Sequence, residues 1–298
     1  MRATLTVRRR VLALAAAATV VAVAAAISAG TVLADPVNGS DANGTYLALG
    51  DSVAFGYVPP NAVPAPNYVD AHSFVGYPEY LAQQLNERVS NASCPGETTA
   101  SMLVAGAQSN GCENSLGSPV GYSTLYPLHV QYRGTQMDYA LHYLAAHKHT
   151  RLVTIDVGAN DAFLCQETTA DHCTSGAELF GVANEIAANL ATIFHVLRVD
   201  AGYTGPIVAL TYYSLSYSDP AAVAGTQFLN SVIAGVATAS GGIVADGLAA
   251  FQGPSLAFGG DPCAAGLLIK LPNGTCNIHP SAAGHRLLAA AIATAIGA

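Results

Sequence analysis

Tryptophan is absent from the 298-residue chain, and charge is scarce: 10% of the residues are Asp, Glu, Lys or Arg, against about 25% in an average globular domain. Basic residues are the rarer kind. Four of the eleven (Arg2, Arg8, Arg9, Arg10) stand in the first 34 positions, which hold no acid, so seven face nineteen Asp and Glu over the remainder. Nucleic-acid binding needs Lys and Arg to neutralise phosphate, and adhesion to anionic lipid by charge alone needs them too. Both are excluded as main functions. No C-x-x-C pair occurs and no cysteine stands at zinc-finger spacing from a histidine, so a structural metal site is not expected. What is plentiful is apolar residue, 51% of the chain, enough for a sizeable core and too much for global disorder.

The N-terminus reads as an export signal over residues 1–34: Arg8-Arg9-Arg10, an apolar stretch from Val11 to Ala29, and Val32-Leu33-Ala34 as a cleavage site. The alternative is a retained anchor, since the stretch approaches the roughly 20 residues that span a bilayer. No later segment reads as both long and apolar enough to span. A secreted, extracellular protein is expected. Six cysteines follow the signal (Cys94, Cys112, Cys165, Cys173, Cys263, Cys276). In an oxidising compartment they are expected to form disulfides. Six allow 15 pairings, of which neighbour pairing (94–112, 165–173, 263–276) is the simplest.

Residues 35–45 are polar and read as a short tether; 46–298 read as a single domain, expected to be monomeric. Short apolar runs (46–49, 152–157, 206–210, 243–245, with a weaker one near 88–93) alternate with helical patterns at 74–88, 136–146, 176–199, 219–238 and 281–296. Fully apolar strands alternating with helices imply an α/β fold, a three-layer α/β/α sandwich with a central parallel sheet. Sites in such sheets form at the carboxyl ends of the strands.

Polar, glycine-containing turns stand at those ends: Gly50-Asp51-Ser52 after the first strand, Cys94-Pro95-Gly96 after the short second one, and Gly158-Ala159-Asn160-Asp161 after the 152–157 strand. His279-Pro280 precedes the last helix. A serine hydroxyl needs an adjacent base and donors aimed at the oxyanion that forms. Ser52 can be the nucleophile, His279 the base, and the Ser52 and Gly96 N–H groups with the Asn160 amide an oxyanion hole. Each piece alone is ordinary: a serine after a strand is usually a turn residue. The joint order carries the argument.

These blocks resemble the SGNH (GDSL-type) hydrolase family, and the matches run from residue 50 to 280. The resemblance implies a flavodoxin-like sandwich, no cofactor, no metal, and ester hydrolysis through an acyl-enzyme on Ser52. One position departs from the family pattern. Where the family places an aspartate three residues before the histidine, this chain has Cys276. Three groups can orient His279 instead: a backbone carbonyl near Cys276, the Asn277 side-chain oxygen, or Asp261 brought back by a 263–276 bridge. The carbonyl is the preferred reading, giving a Ser-His dyad.

Tyr57, Tyr68, Tyr122, Leu125, Tyr126, Tyr212, Tyr213 and Tyr217 fall in loops expected to rim the site. Without tryptophan a sugar platform is disfavoured, so the expected partner is a small-molecule or lipid ester, acyl-lipid or short-chain. A carbohydrate deacetylase-type esterase and a catalytically weak binding module on the same fold are the alternatives. His72 is read as a surface residue, His142, His147 and His149 as residues of a solvated helix end, and His285, six residues after His279, as lying off its helix face and so away from the site.

Overall fold

The computed structural model describes residues 44–298. The export signal, and the tether apart from its last two residues, lie outside the described residues. Thr45, read from the sequence as the end of the tether, already opens the first strand.

In chain order the elements are β1 (Thr45–Gly50), α1 (Ser52–Phe55), α2 (Tyr77–Leu85), β2 (Arg88–Asn91), α3 (Tyr122–Leu125), α4 (Gln136–Ala146), β3 (Thr150–Asp156) and α5 (Ala159–Thr168). They continue with α6 (Gly176–His195), β4 (Ile207–Leu210), α7 (Pro220–Ala239), β5 (Ile243–Ala245), α8 (Gly247–Leu256), β6 (Leu268–Lys270), β7 (Cys276–Pro280) and α9 (Ala282–Ile296). Five strands form one parallel sheet in the order β2-β1-β3-β4-β5. Helices α2 and α9 pack together on one side, α9 also against β4 and β5. Helices α6 and α7 pack together, with α7 on β4 and β5. This is the α/β sandwich expected, and the reason is visible in β1 and β4: every residue of both is buried, as strands covered on two faces require.

Local chemistry sets the element ends. Asp51 caps α1, its Oδ1 accepting the Val53 N–H at 2.8 Å. Gly56 ends α1 in the left-handed region, φ 75°, where a Cβ would meet the Gly76 nitrogen at 2.3 Å. Helix α2 is shorter than the periodicity over 74–88 suggests. It begins at Tyr77 with Pro78 in its first turn, and Asn86 closes it at φ 54°. The turn expected at 158–161 is instead the start of α5. Helix α8 and the antiparallel β6–β7 hairpin carry no periodic signal and were not expected.

The expectation that no later segment is long and apolar enough to span a membrane is corrected. Gly176–Asp200 and Pro220–Ala239 both meet that test by length and composition, at mean hydropathy 1.3. Their apolarity comes from many Ala, Gly and Val rather than a run of large side chains, which is why it escapes the eye.

All three expected disulfides form: Cys94–Cys112, Cys165–Cys173 and Cys263–Cys276. Cys94, Glu97 and Cys112 bring possible ligand atoms within 4.8 Å of one another, but the two sulfurs are bonded to each other. The 263–276 bridge ties the loop after α8 to the first residue of β7. A bridge closing a loop of this size contributes typically about 2–4 kcal/mol. Replacing Cys263 and Cys276 together by Ala is therefore expected to lower Tm by roughly 5–15 °C in calorimetry; an unchanged Tm would show the bridge to be idle.

Candidate active site

Strand pairing brings the first two pieces of the site together. Gly50 at the end of β1 lies in register with Asp156 at the end of β3. The Asp51 N–H donates to the Asp156 carbonyl at 2.9 Å, and Gly50 turns with φ 152°, so a Cβ there would meet that same carbonyl at 2.5 Å. Only glycine fits this close approach. The turn leaves Ser52 as the first residue of α1, with its hydroxyl at the carboxyl edge of the sheet. Gly158, φ 128°, does the corresponding work after β3 and starts α5, placing Asn160 in its first turn beside Asp51.

The hairpin delivers the fourth piece. His279, on β7, lies with its Nε2 2.9 Å from Ser52 Oγ across 227 residues of sequence. Its Nδ1 is 2.5 Å from the Asn277 Oδ1, and the His279 backbone N–H donates to the same oxygen at 3.1 Å. An amide oxygen only accepts, so Nδ1 carries the proton and Nε2 presents a lone pair to the serine hydroxyl. The orienting group is thus the Asn277 side chain. The reading that preferred a backbone carbonyl near Cys276 is corrected: Asn277, two residues before His279, folds its amide back over its own turn, as short Asx side chains do. Burial pushes the His279 imidazole down from 6.5 to about 4, which keeps it neutral near pH 7.

Ser52, Gly96 and Asn160 converge on one cavity of about 970 Å³ with His279. Gly96 takes φ 84°, and a Cβ would collide with the Asn110 carbonyl at 2.4 Å. Among the described residues the N–H groups of Ser52 and Gly96 meet no protein acceptor. Asn160 Nδ2 donates to the Glu97 carbonyl at 3.0 Å and, more weakly, to Asp51 Oδ2 at 3.3 Å. Its Oδ1 accepts from Asn110 Nδ2 at 3.1 Å, so both ends of the amide are held.

The sequence matches the GDSL-like lipase/acylhydrolase family over residues 48–287. The chain belongs to that family. It is therefore a hydrolase of the esterase class. Among solved structures, the acetylxylan esterase Axe2 from Geobacillus stearothermophilus is similar over 86% of this chain and 94% of its own, at 20% identity and a TM-score of 0.50. A catalytic mutant of the same enzyme, with an aspartate replaced, gives 17% identity and a TM-score of 0.53 over the same shares. These likenesses show the fold. No curated protein sequence matches the chain.

Several parts of this GDSL-like site escaped sequence reading. Asp51 Oδ2 accepts from the Tyr212 hydroxyl at 2.7 Å. Asp156, buried next to Asp51, is pushed well above the usual carboxylate range, first by burial and then by the Asp51 charge. Glu97 is buried beneath the Gly96 loop. It accepts from the Ser101 hydroxyl and from Gln136 Nε2 at 2.6 Å, and Gln136 clasps both the N–H and the carbonyl of Gly50, at 2.9 and 2.8 Å. His285, read as lying away from the site, is buried, and its Nδ1 has no partner among the described residues; desolvation first and His279 second push it down to about 3. Of the expected rim, Tyr57, Tyr122, Tyr212 and Tyr213 line the cavity. Tyr68, Leu125, Tyr126 and Tyr217 do not; Tyr68, for one, spends its hydroxyl on the Val58 carbonyl at 2.7 Å.

Burial raises Glu97 from 4.5 to about 8, so the folded protein holds a proton there that the unfolded chain releases near pH 4.5. The stabilisation is complete below that value and is lost as pH rises through about 8. Tm is expected to fall from pH 5 to pH 9 in the wild type and to fall less in Glu97→Gln, which keeps the shape without the ionisation. Equal slopes in thermal scans would remove Glu97 from that role.

Proposed function

We propose that the protein cleaves carboxylic esters of apolar acids through an acyl-enzyme on Ser52. The observation that carries this reading is the Ser52–His279–Asn277 relay, 2.9 and 2.5 Å, opening into the same cavity as two unpartnered backbone N–H groups.

The steps follow from the geometry. Ser52 Oγ attacks the ester carbonyl carbon as its proton passes to His279 Nε2. The carbonyl oxygen becomes an oxyanion, which the unpartnered Ser52 and Gly96 N–H groups can receive; the Asn160 amide joins them by giving up its weaker bond to Asp51 Oδ2, 3.3 Å. As the tetrahedral intermediate collapses, His279 returns the proton to the departing alkoxide, leaving the acyl group on Ser52. Water, deprotonated by His279, then attacks the acyl carbon, and the acid leaves with Oγ reprotonated. Asn277 holds the tautomer but supplies no negative charge, unlike a carboxylate partner.

Apart from Asp51, His279 and four tyrosines, the cavity lining contains no ionisable side chain. An ester of an apolar acid suits such a lining. A polysaccharide, whose hydroxyls need many partners, suits it less, so the carbohydrate-esterase alternative is not preferred. Export by the N-terminal signal would deliver the enzyme to the compartment in which its three disulfides persist.

A fluorophosphonate is expected to label the wild type and not Ser52→Ala, and Ser52→Ala is expected to lose at least about a thousandfold in p-nitrophenyl ester hydrolysis. Hydrolysis that survives in Ser52→Ala sinks the reading. Because His279 is held near 4, the acid limb of kcat/KM is expected well below pH 6. Asn277→Asp brings a carboxylate to Nδ1, favours the imidazolium, and is expected to move that limb upward; Asn277→Ala is expected to lower kcat about 10- to 100-fold without moving it upward.

A further inference from the structure

The cavity has two unlike halves. Around His279 it is walled by Tyr57, Tyr213 and Ile278, with the Tyr57 ring centroid 4.9 Å from that of the imidazole. Beyond Asn160 it runs along α5 and out between the first halves of α6 and α7, past Leu179, Val182, Ile186, Phe228 and Leu229. This second wall is unlike an ordinary helical surface. Helix α7 has no Asp, Glu, Lys or Arg in its 20 residues, yet 17% of its most apolar stretch is buried. At the mouth Phe180 and Phe228 meet edge to face at 6.3 Å and stay 64% and 36% exposed. A contiguous exposed apolar patch of this kind marks a ligand or partner site more often than chance.

We propose that the α6–α7 groove is the acyl-chain site, taking the unbranched hydrocarbon of a medium- or long-chain fatty acid; this rests on the reading of Ser52 as the acylated residue. The direction follows from proton transfer. The leaving oxygen must face His279 Nε2 to be protonated, so the alcohol occupies the half walled by Tyr57, Tyr213 and Ile278. The acyl branch is left the other way, past Asn160. There Gln166 and Thr226 are the polar side chains of the wall, too few to pair the hydroxyls of a sugar, while methylenes need no partners. Small residues keep the groove open: Ala183 on α6 and Ala222 and Gly225 on α7. A Cβ added at Gly225 meets nothing within 4 Å, so this glycine is required by no backbone strain or close contact.

Each methylene fully buried is worth a factor of roughly four, and octanoate has six more than acetate. Wild type is expected to favour p-nitrophenyl octanoate over the acetate by at least tenfold in kcat/KM. Gly225→Phe, filling the groove, is expected to cut that octanoate-to-acetate ratio at least tenfold. Gly181→Phe is the control: this glycine is also open, on α6 but outside the cavity lining, and its ratio is expected to match wild type. If Gly225→Phe fails to fold by circular dichroism, Ala222→Phe on the same wall makes the same test. A wild type indifferent to chain length, a folded groove variant with an unchanged ratio, or an equal fall in Gly181→Phe overturns the acyl site while leaving the Ser52 chemistry standing. Hydrolysis that persists in Ser52→Ala overturns both, and fluorophosphonate labelling tells the two failures apart.

Discussion

Burial at the carboxyl edge of the sheet governs the behaviour of this site. The same desolvation pushes His279 down to about 4, His285 to about 3 and Glu97 up to about 8, and raises Asp51 and Asp156 together. Each shift moves a group towards its uncharged form. The sequence accords with this: charge is sparse throughout, and almost none of it lines the cavity. Burial strengthens each dipole there, since field strength rises as the local dielectric falls. On the proposed mechanism, uncharged donors, two backbone N–H groups and an amide, would then suffice for the oxyanion.

An uncharged orienting group is consistent with that environment. Were a carboxylate to stand at Nδ1, it would be a further buried charge to desolvate. Asn277 fixes the tautomer through a dipole and needs no counter-ion. On the proposed mechanism, the imidazolium formed when Ser52 loses its proton is balanced by the nascent oxyanion. The two charges appear together and vanish together. A base whose ground state resists protonation is matched to a reaction in which the proton is held only while the oxyanion exists.

How far the sequence disclosed this site depends on the kind of signal. Ser52, Gly96, Asn160 and His279 were legible because each follows a strand end or precedes a helix, and parallel topology sends strand ends to one edge. The disulfides were legible because neighbouring cysteines had the shortest loops to close. The role of Asn277 was visible only as one of three options; choosing among them needs the path of the β6–β7 hairpin, which has no periodic pattern. Gln136 and Glu97 had no motif at all. Gln136 reaches Gly50 across 86 residues because α4 starts against the end of β1, and Glu97 is joined to it through Gln136. The turn expected at Gly158 was an α5 start, since glycine at positive φ serves a helix N-terminus as well as a reverse turn. The apolarity of α7 escaped sequence reading because it is made of Ala, Gly and Val, although a helix without a single charge is a pattern that ordinary surface helices do not show.

That last feature bears on how reaction and recognition are divided over the fold. The proposed reacting groups sit on α1, the loop after β2, α5 and β7, each fixed by strand register, a glycine turn or a disulfide. The apolar wall sits on α6 and α7, which pack on each other and expose most of their surface. Changes of side chain on that wall reshape the space beyond Asn160 without touching the Gly50 turn, the Gln136 clasp or the Asn277 bond. On the proposed reading, the strand ends and the hairpin hold the chemistry while exposed helices shape the pocket, so the range of acids accepted could vary on this scaffold without disturbing the relay.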